Sequence, residues 1–303
     1  MIARPIARCS RSGSVFVYQS GECKVSSNTI RLLALDMDGT LLTTDKRLTA
    51  RAKDALGRAS ASGVWIVPAT GRIFMGLPEA VRALPYLRYA ITCNGACVVD
   101  AVAGRVLYRA ELDVPRALEI MSWLDGQPLI YDCTVDGRSW MSADMYDVIG
   151  AYAPDPAVVG YMRSVRTPVP DLKAFVRGNA GGVQKLQAFC RDEATWRRLL
   201  AHTPFTGLEV ATSVTRNVEF TREDATKGAA LRALSVHLGL ARDEVMAIGD
   251  GLNDLSMLRA AGVGVAMENA VTEVRAAADV ITAGNDADGV AAAIEMLILN
   301  QGG

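Results

Sequence analysis

The chain has 303 residues, half of them apolar, and its 32 basic residues nearly balance 33 acidic ones for a formal net charge of −1. At roughly 100–200 residues per domain, this length predicts two domains with sizeable cores. Charge so evenly interspersed forms neither the basic footprint of a nucleic-acid binder nor a basic membrane surface, so the expected partner is a small molecule.

In chain order, residues 1–29 come first, with Arg4, Arg8 and Arg11 among serines and Glu22 as the sole acid. They loosely resemble a transit peptide but are read as a disordered extension or the product of an upstream start codon. Leu32-Leu33-Ala34-Leu35 then breaks into Asp-Met-Asp-Gly-Thr, a short buried strand followed by a tight loop. Thr49 opens a helix that runs to about Ser62 and stops at Gly63. A second buried strand over 64–69 leads into Thr70-Gly71-Arg72 and another helix, and a third strand over 89–93 ends at the turn signal Asn94-Gly95.

Residues 113–217 read differently. A hairpin of 129–133 and 138–141 flanks Val135-Asp136-Gly137, followed by a strand over 183–189, a helix over 193–201 and a strand over 208–214. From Thr226 the alternation returns, with a helix, strand 245–248, loop 249–253, a helix to Ala261 and strand 263–266. The expected fold is therefore α/β, a doubly wound parallel-sheet (Rossmann-like) core over 30–112 and 218–303 with an α+β domain inserted at 113–217.

The inventory of reactive side chains narrows the chemistry. Cys9, Cys23, Cys93, Cys97, Cys133 and Cys190 show neither disulfide-scaffold density nor paired CxxC zinc spacing, which fits a reducing cytoplasm. The Cys93/Cys97 pair admits a redox switch, but two small buried hydrophobes explain it more simply. With only His202 and His237, histidine-centred triads and His-rich metal sites are nearly excluded, and His237 reads as structural within a helical run. No stretch approaches the ~20 apolar residues that span a bilayer.

In open α/β sheets ligands bind beyond the carboxyl ends of the strands, so polar residues just after each strand matter most. Four clusters stand there: Asp36 with Asp38; Thr70; Lys227 at a helix start; and Asp250 with Asn253 and Asp254. Carboxylates at i and i+2 on an extended loop can face one side, giving one group for attack and another for proton transfer. With Asp250 added, the converging charge calls for a hard cation such as Mg²⁺. A phosphate dianion bridging that ion then needs donors, which Thr70, nearby backbone amides and the Lys227 ammonium supply. An EF-hand is excluded, because the sixth loop position is Leu41 and the twelfth Arg47. Neither a P-loop nor a GxGxxG motif is present. Singly, each cluster reads as a turn, a cap or a solvated lysine; their joint order carries the inference.

This constellation resembles the haloacid dehalogenase-like phosphatase superfamily. Asp36-Met-Asp-Gly-Thr40 is similar to its first motif, Thr70 in Pro-Ala-Thr-Gly-Arg to its second, Lys227 to its third and Gly249-Asp-Gly-Leu-Asn-Asp254 to its fourth. The long insert, with Cys-Asn-Gly-Ala before it and Val-Glu-Phe ahead of Lys227, resembles the Cof-type subfamily with a C2B cap. The resemblance implies a cytoplasmic, Mg²⁺-dependent hydrolase of small phosphate monoesters such as sugar phosphates, pyridoxal phosphate or flavin-related phosphates, working through an aspartyl-phosphate. It implies that Asp36 is the nucleophile and a metal ligand. Asp38 would offer its carbonyl to the metal and its side chain as acid and base, and Asp250 would complete the protein's metal ligands. Met37, Thr70, Gly71, Arg72, Lys227 and Asn253 are the expected phosphate-binding set, with Asp254 holding ligands or Lys227 from behind. Leu252 stands where many relatives carry glutamate, which leaves catalysis untouched. Polar cap residues such as Arg138 and Lys185 are expected to choose among leaving groups. A phosphomutase or phosphotransferase acting on sugar phosphates is the first alternative, and a catalytically silent binding regulator the second.

Overall fold

The computed structural model describes residues 7–11, 14–18, 29–153, 155–179, 181–212 and 216–300. They divide into two compact units. The first comprises residues up to Thr70, Pro78–Leu107 and residues from Thr226 onward; the second comprises Gly71–Leu77 and Tyr108–Ala225.

In the first unit, five parallel strands lie in the spatial order Val280–Ile281, Val263–Ala266, Val245–Gly249, Leu32–Leu35 and Trp65–Pro68. Leu32, Leu33, Ala34 and Leu35 are fully buried, as continuous apolar runs are when both faces of a parallel sheet are covered. Tyr89–Thr92 joins beyond Trp65–Pro68 through one parallel bridge, Ala69 to Ile91, and pairs antiparallel with Cys97–Asp100. Counted through that bridge, the parallel strands run 3-2-1-4-5-6, and the order reverses between Leu32–Leu35 and Val245–Gly249.

The helix Ala50–Ala61 starts at Thr49, whose Oγ1 accepts from Ala52 N at 3.1 Å, a cap worth about 1 kcal/mol. It buries Ala52, Ala55, Leu56 and Ala59 and packs against Gly289–Ile294, while Lys227–His237 packs against Leu255–Ala260. Right-handed crossovers running in opposite directions from the reversal place these two pairs on opposite faces of the sheet.

Two regions differ from the sequence reading. The helix expected after Arg72 is only a 3₁₀ turn, Phe74–Gly76, and a single helical turn, Glu79–Arg82. Pro78 is the reason: its ring holds the preceding Leu77 extended, at φ −67° and ψ 143°, so no helix can run through. Within the segment read as an extension, Ala7–Arg11 and Ser14–Tyr18 form a hairpin that pairs antiparallel with Val280–Ile281, covering what would otherwise be an open sheet edge. Its other positions up to Asn28 lie outside the described residues. Among the described residues no helix is long and apolar enough to cross a membrane.

The second unit is a six-stranded sheet in the order Arg166–Val169, Arg138–Ser142, Leu129–Val135, Lys185–Cys190, Asn217–Arg222, Leu208–Ala211. The strand Asn217–Arg222, which the sequence reading placed where the core resumes at 218, lies inside this sheet. Its period of two explains why: Val218 and Phe220 enter one apolar cluster with Tyr131, Leu186 and Ala188, beneath Ile120 and Met121 of the helix Val114–Leu124. The alternate positions Asp132, Thr134, Lys185, Glu219 and Thr221 share the other face and are buried too. Among the described residues no buried side-chain nitrogen or oxygen lacks a hydrogen-bond partner.

Candidate active site

Asp36 follows Leu35 and Asp250 follows Gly249, so the two strands flanking the reversal deliver carboxylates side by side. Asp36 N bonds to Ile248 O at 3.0 Å, which continues the pairing one residue past the strand. Lys227, at the first position of its helix and with a fully buried side chain, donates to Asp36 Oδ1 and Asp254 Oδ1, both at 2.6 Å. Asp254 Oδ2 accepts from the amides of Asp250 and Gly251 at 2.9 Å each. Thr40 Oγ1 donates to Asp250 Oδ1 at 2.6 Å. Gly39, at φ +93°, passes so near that a Cβ would sit 2.4 Å from Asp250 Oδ2, so only glycine allows this approach.

Carboxylate oxygens of Asp36, Asp250 and Asp254 lie within 4.8 Å of one another. Burial pushes the Asp36 carboxyl up to about 7; the Lys227 charge opposes that rise, and the Asp254 and Asp250 charges add to it. Asp250 is raised as well, by burial first, with the Thr40 hydrogen bond opposing and Asp254 adding. Lys227 goes the other way from what burial alone would do, because the charges of Asp254 and Asp36 hold its ammonium above the ordinary lysine range.

This donor set fits a hard divalent cation. It is all oxygen, and one lysine cannot neutralise three carboxylates. Asp254 has both oxygens committed to N–H donors. Asp36 Oδ1 accepts from the Lys227 ammonium and Asp250 Oδ1 from the Thr40 hydroxyl, and their Oδ2 atoms bond to no described residue. Those two oxygens are the ones available to an ion.

Asp38 Oδ1 pairs with Lys46 Nζ at 2.8 Å, with the two side chains 35% and 57% exposed, so this aspartate sits at the solvent margin while Asp36 does not. The loop carrying both is tied down: Asn269 Nδ2 bonds Gly39 O, Asn285 Nδ2 bonds Leu42 O, and both Asp286 oxygens accept from Thr44. Met37 has no exposed side-chain surface, so it can offer a ligand only backbone. Neither Lys46 nor Thr40 was singled out from the sequence; the signals for them were a Lys-Arg pair just past the Asp-x-Asp loop and a threonine closing it.

Thr70 is buried, and its backbone N bonds Ile91 O at 2.9 Å. Asn253 is exposed and donates through Nδ2 to Asn94 Oδ1 at 3.3 Å. Gly71 and Arg72 belong to the second unit. There Arg72 Nη1 donates to Gly76 O at 3.1 Å and its guanidinium lies 5.8 Å from the Tyr161 ring centroid. Cys93 and Cys97 are both buried, and His237 packs edge-on against Tyr89.

Lys185 departs from the expectation of a cap group facing a leaving group. Its side chain is 5% exposed, and Nζ donates to Glu219 Oε1 at 3.1 Å and Gly71 O at 2.9 Å. Arg138, by contrast, is exposed. Lys185→Met would leave the Glu219 carboxylate buried without its cation, so it should lower stability by about 3–5 kcal/mol in chemical denaturation. A wild-type denaturation midpoint would show that the pair adds nothing to stability.

Comparisons with known proteins follow the same lines. A family model described as haloacid dehalogenase-like hydrolase matches residues 33–294. Phosphatase YwpJ of Bacillus subtilis is 29% identical over 89% of this chain and 100% of its own length. Pyridoxal phosphate phosphatase YbhA of Escherichia coli is 30% identical over 87% of this chain and 97% of its own. The solved structure of a haloacid dehalogenase-like hydrolase from B. subtilis superposes with a TM-score of 0.71 at 28% identity, covering 88% of this chain and 100% of that one. With the reversal of strand order, the carboxylate cluster and the buried lysine already in place, the chain belongs to the haloacid dehalogenase-like hydrolases, as a phosphoric monoester hydrolase of their Cof-type branch.

Proposed function

We propose that this enzyme is a Mg²⁺-dependent phosphatase of small phosphate monoesters that forms an aspartyl-phosphate on Asp36. The observation that carries the reading is the Asp36–Lys227–Asp254 chain of 2.6 Å contacts beside Asp250, at the point where the sheet reverses its strand order. An Asp36 Oδ attacks phosphorus as the bond to the leaving oxygen breaks, and the Asp38 carboxyl gives its proton to that oxygen. Asp38 then takes a proton from water, whose oxygen displaces Asp36 and releases inorganic phosphate. Lys227 keeps the Asp36 carboxylate oriented and offsets charge that builds on the phosphoryl oxygens. Thr70, Asn253 and the backbone of Met37 are assigned to binding the phosphoryl group. Asp36 and Asp250, with the Asp38 carbonyl, would hold the ion, which when bound supplies charge neutralisation and orients the phosphate.

Sugar phosphates, pyridoxal phosphate and flavin-related phosphates form the substrate class, and the likeness to a pyridoxal phosphate phosphatase supports the second of these. Purified enzyme presented with a panel of such monoesters should release inorganic phosphate from at least one. Chelation should abolish release and added Mg²⁺ should restore it. Full turnover after exhaustive chelation would sink the metal assignment. If phosphate moved between sugar positions with none released, the protein would be a mutase instead.

A further inference from the structure

Cys93-Asn94-Gly95 has no part in the chemistry above, yet it is the most contorted segment of the described backbone. Its residues have φ of 52°, 57° and 100°, three left-handed residues in succession, two of them carrying a Cβ. Side chains with a Cβ seldom adopt that conformation, and it persists where surrounding contacts over-determine it, commonly at functional sites.

Three contacts do so here, each on a different segment of the first unit. Asn94 N donates to Thr70 O at 3.0 Å. Asn94 Oδ1 accepts from Asn253 Nδ2 at 3.3 Å. A Cβ on Gly95 would fall 2.2 Å from the Thr226 carbonyl and 2.5 Å from Lys227 N, so this backbone lies directly against the start of the Lys227 helix. That helix start is itself capped by Thr226, which accepts from Ala229 N at 3.2 Å. One short loop thus abuts the residues assigned to phosphate binding on three separate elements.

We propose that Asn94 is a positioning residue of the phosphate site, its left-handed backbone registering the Thr70 segment against the Lys227 helix and its side-chain oxygen aiming the Asn253 amide. This rests on the reading of the site given above. A plain turn between Tyr89–Thr92 and Cys97–Asp100 would need the backbone shape but not the bond to Asn253. Asn94→Gly separates the two, because glycine keeps the left-handed backbone and its N–H while removing the amide.

The test is a double-mutant cycle of Asn94→Gly and Asn253→Ala, with p-nitrophenyl phosphate as substrate and inorganic phosphate as competing ligand. Each single change should weaken phosphate inhibition and raise KM by roughly tenfold with a smaller change in kcat. The double variant should be no worse than Asn253→Ala alone, since Asn94 acts on phosphate only through the Asn253 amide. Losses that multiply, wild-type phosphate inhibition in Asn94→Gly, or failure of Asn94→Gly to fold beside a folded and unimpaired Asn253→Ala would each overturn the assignment. Wild-type turnover that Asp36→Asn abolishes keeps the parent reading intact in those cases. A wild type inert toward every phosphate ester would overturn both readings.

Discussion

Asp36→Asn is expected to abolish turnover and phosphoenzyme together, whereas Asp38→Asn should still accept a phosphoryl group while losing roughly 10²–10⁴-fold in turnover. The two residues stand two positions apart but in different surroundings. Asp36 is buried and held by Lys227, and burial pushes its carboxyl up to about 7 against the opposing Lys227 charge. Asp38 is a third exposed and paired with Lys46, placed to exchange protons with water. Asparagine at 36 keeps the shape but removes the attacking lone pair of an anion; asparagine at 38 leaves the attack intact but cannot hand over or collect the proton. Trapping with acetyl phosphate, whose leaving group needs no general acid, separates the two. Label retained by the Asp36 variant would place the nucleophile elsewhere.

Lys227→Met should produce the second large effect, a loss of about 3–5 kcal/mol in stability together with collapse of activity. The side chain has no exposed surface and bridges two carboxylates at 2.6 Å, so its removal strands Asp36 and Asp254 as uncompensated charges. Methionine keeps nearly the same volume, so packing contributes little to the difference. Urea denaturation of the single variant, and of Lys227→Met with Asp254→Asn, tests the attribution. The second change removes one stranded charge, and the denaturation midpoint should rise again in the double variant. If it falls further instead, Asp254 acts on stability through its bonds to the Asp250 and Gly251 amides rather than through Lys227.

Much of the site was legible because its residues lie at strand ends and helix starts, which periodicity and caps mark locally. The run Leu32–Leu35 and its breaking into Asp-x-Asp, Thr49 and Thr226 as caps, and the strand Val263–Ala266 all depend on neighbours within a few residues. Less legible were features made by contact between distant segments. Lys185 looks like an edge charge in sequence because nothing nearby reveals Glu219, 34 residues on, or the Gly71 carbonyl, 114 residues back. Positions 218–222 were assigned to the core because order along the chain says nothing about which sheet a strand joins.

What the sequence by itself determined is the alternation of strands and helices, the doubly wound core it implies, and the inventory of carboxylates, lysine and threonine standing at strand ends. These follow from rules acting over one or two turns of chain, where side-chain period and turn chemistry dominate. Only the tertiary structure decided that Lys227 bridges Asp36 and Asp254 across 191 and 27 residues, that Asp38 is paired with Lys46, and that Asn94 meets Asn253 across 159 residues. The Lys227 and Asn94 pairings depend on crossover hand and strand order, which bring remote loops to one end of the sheet and have no local signature in the chain.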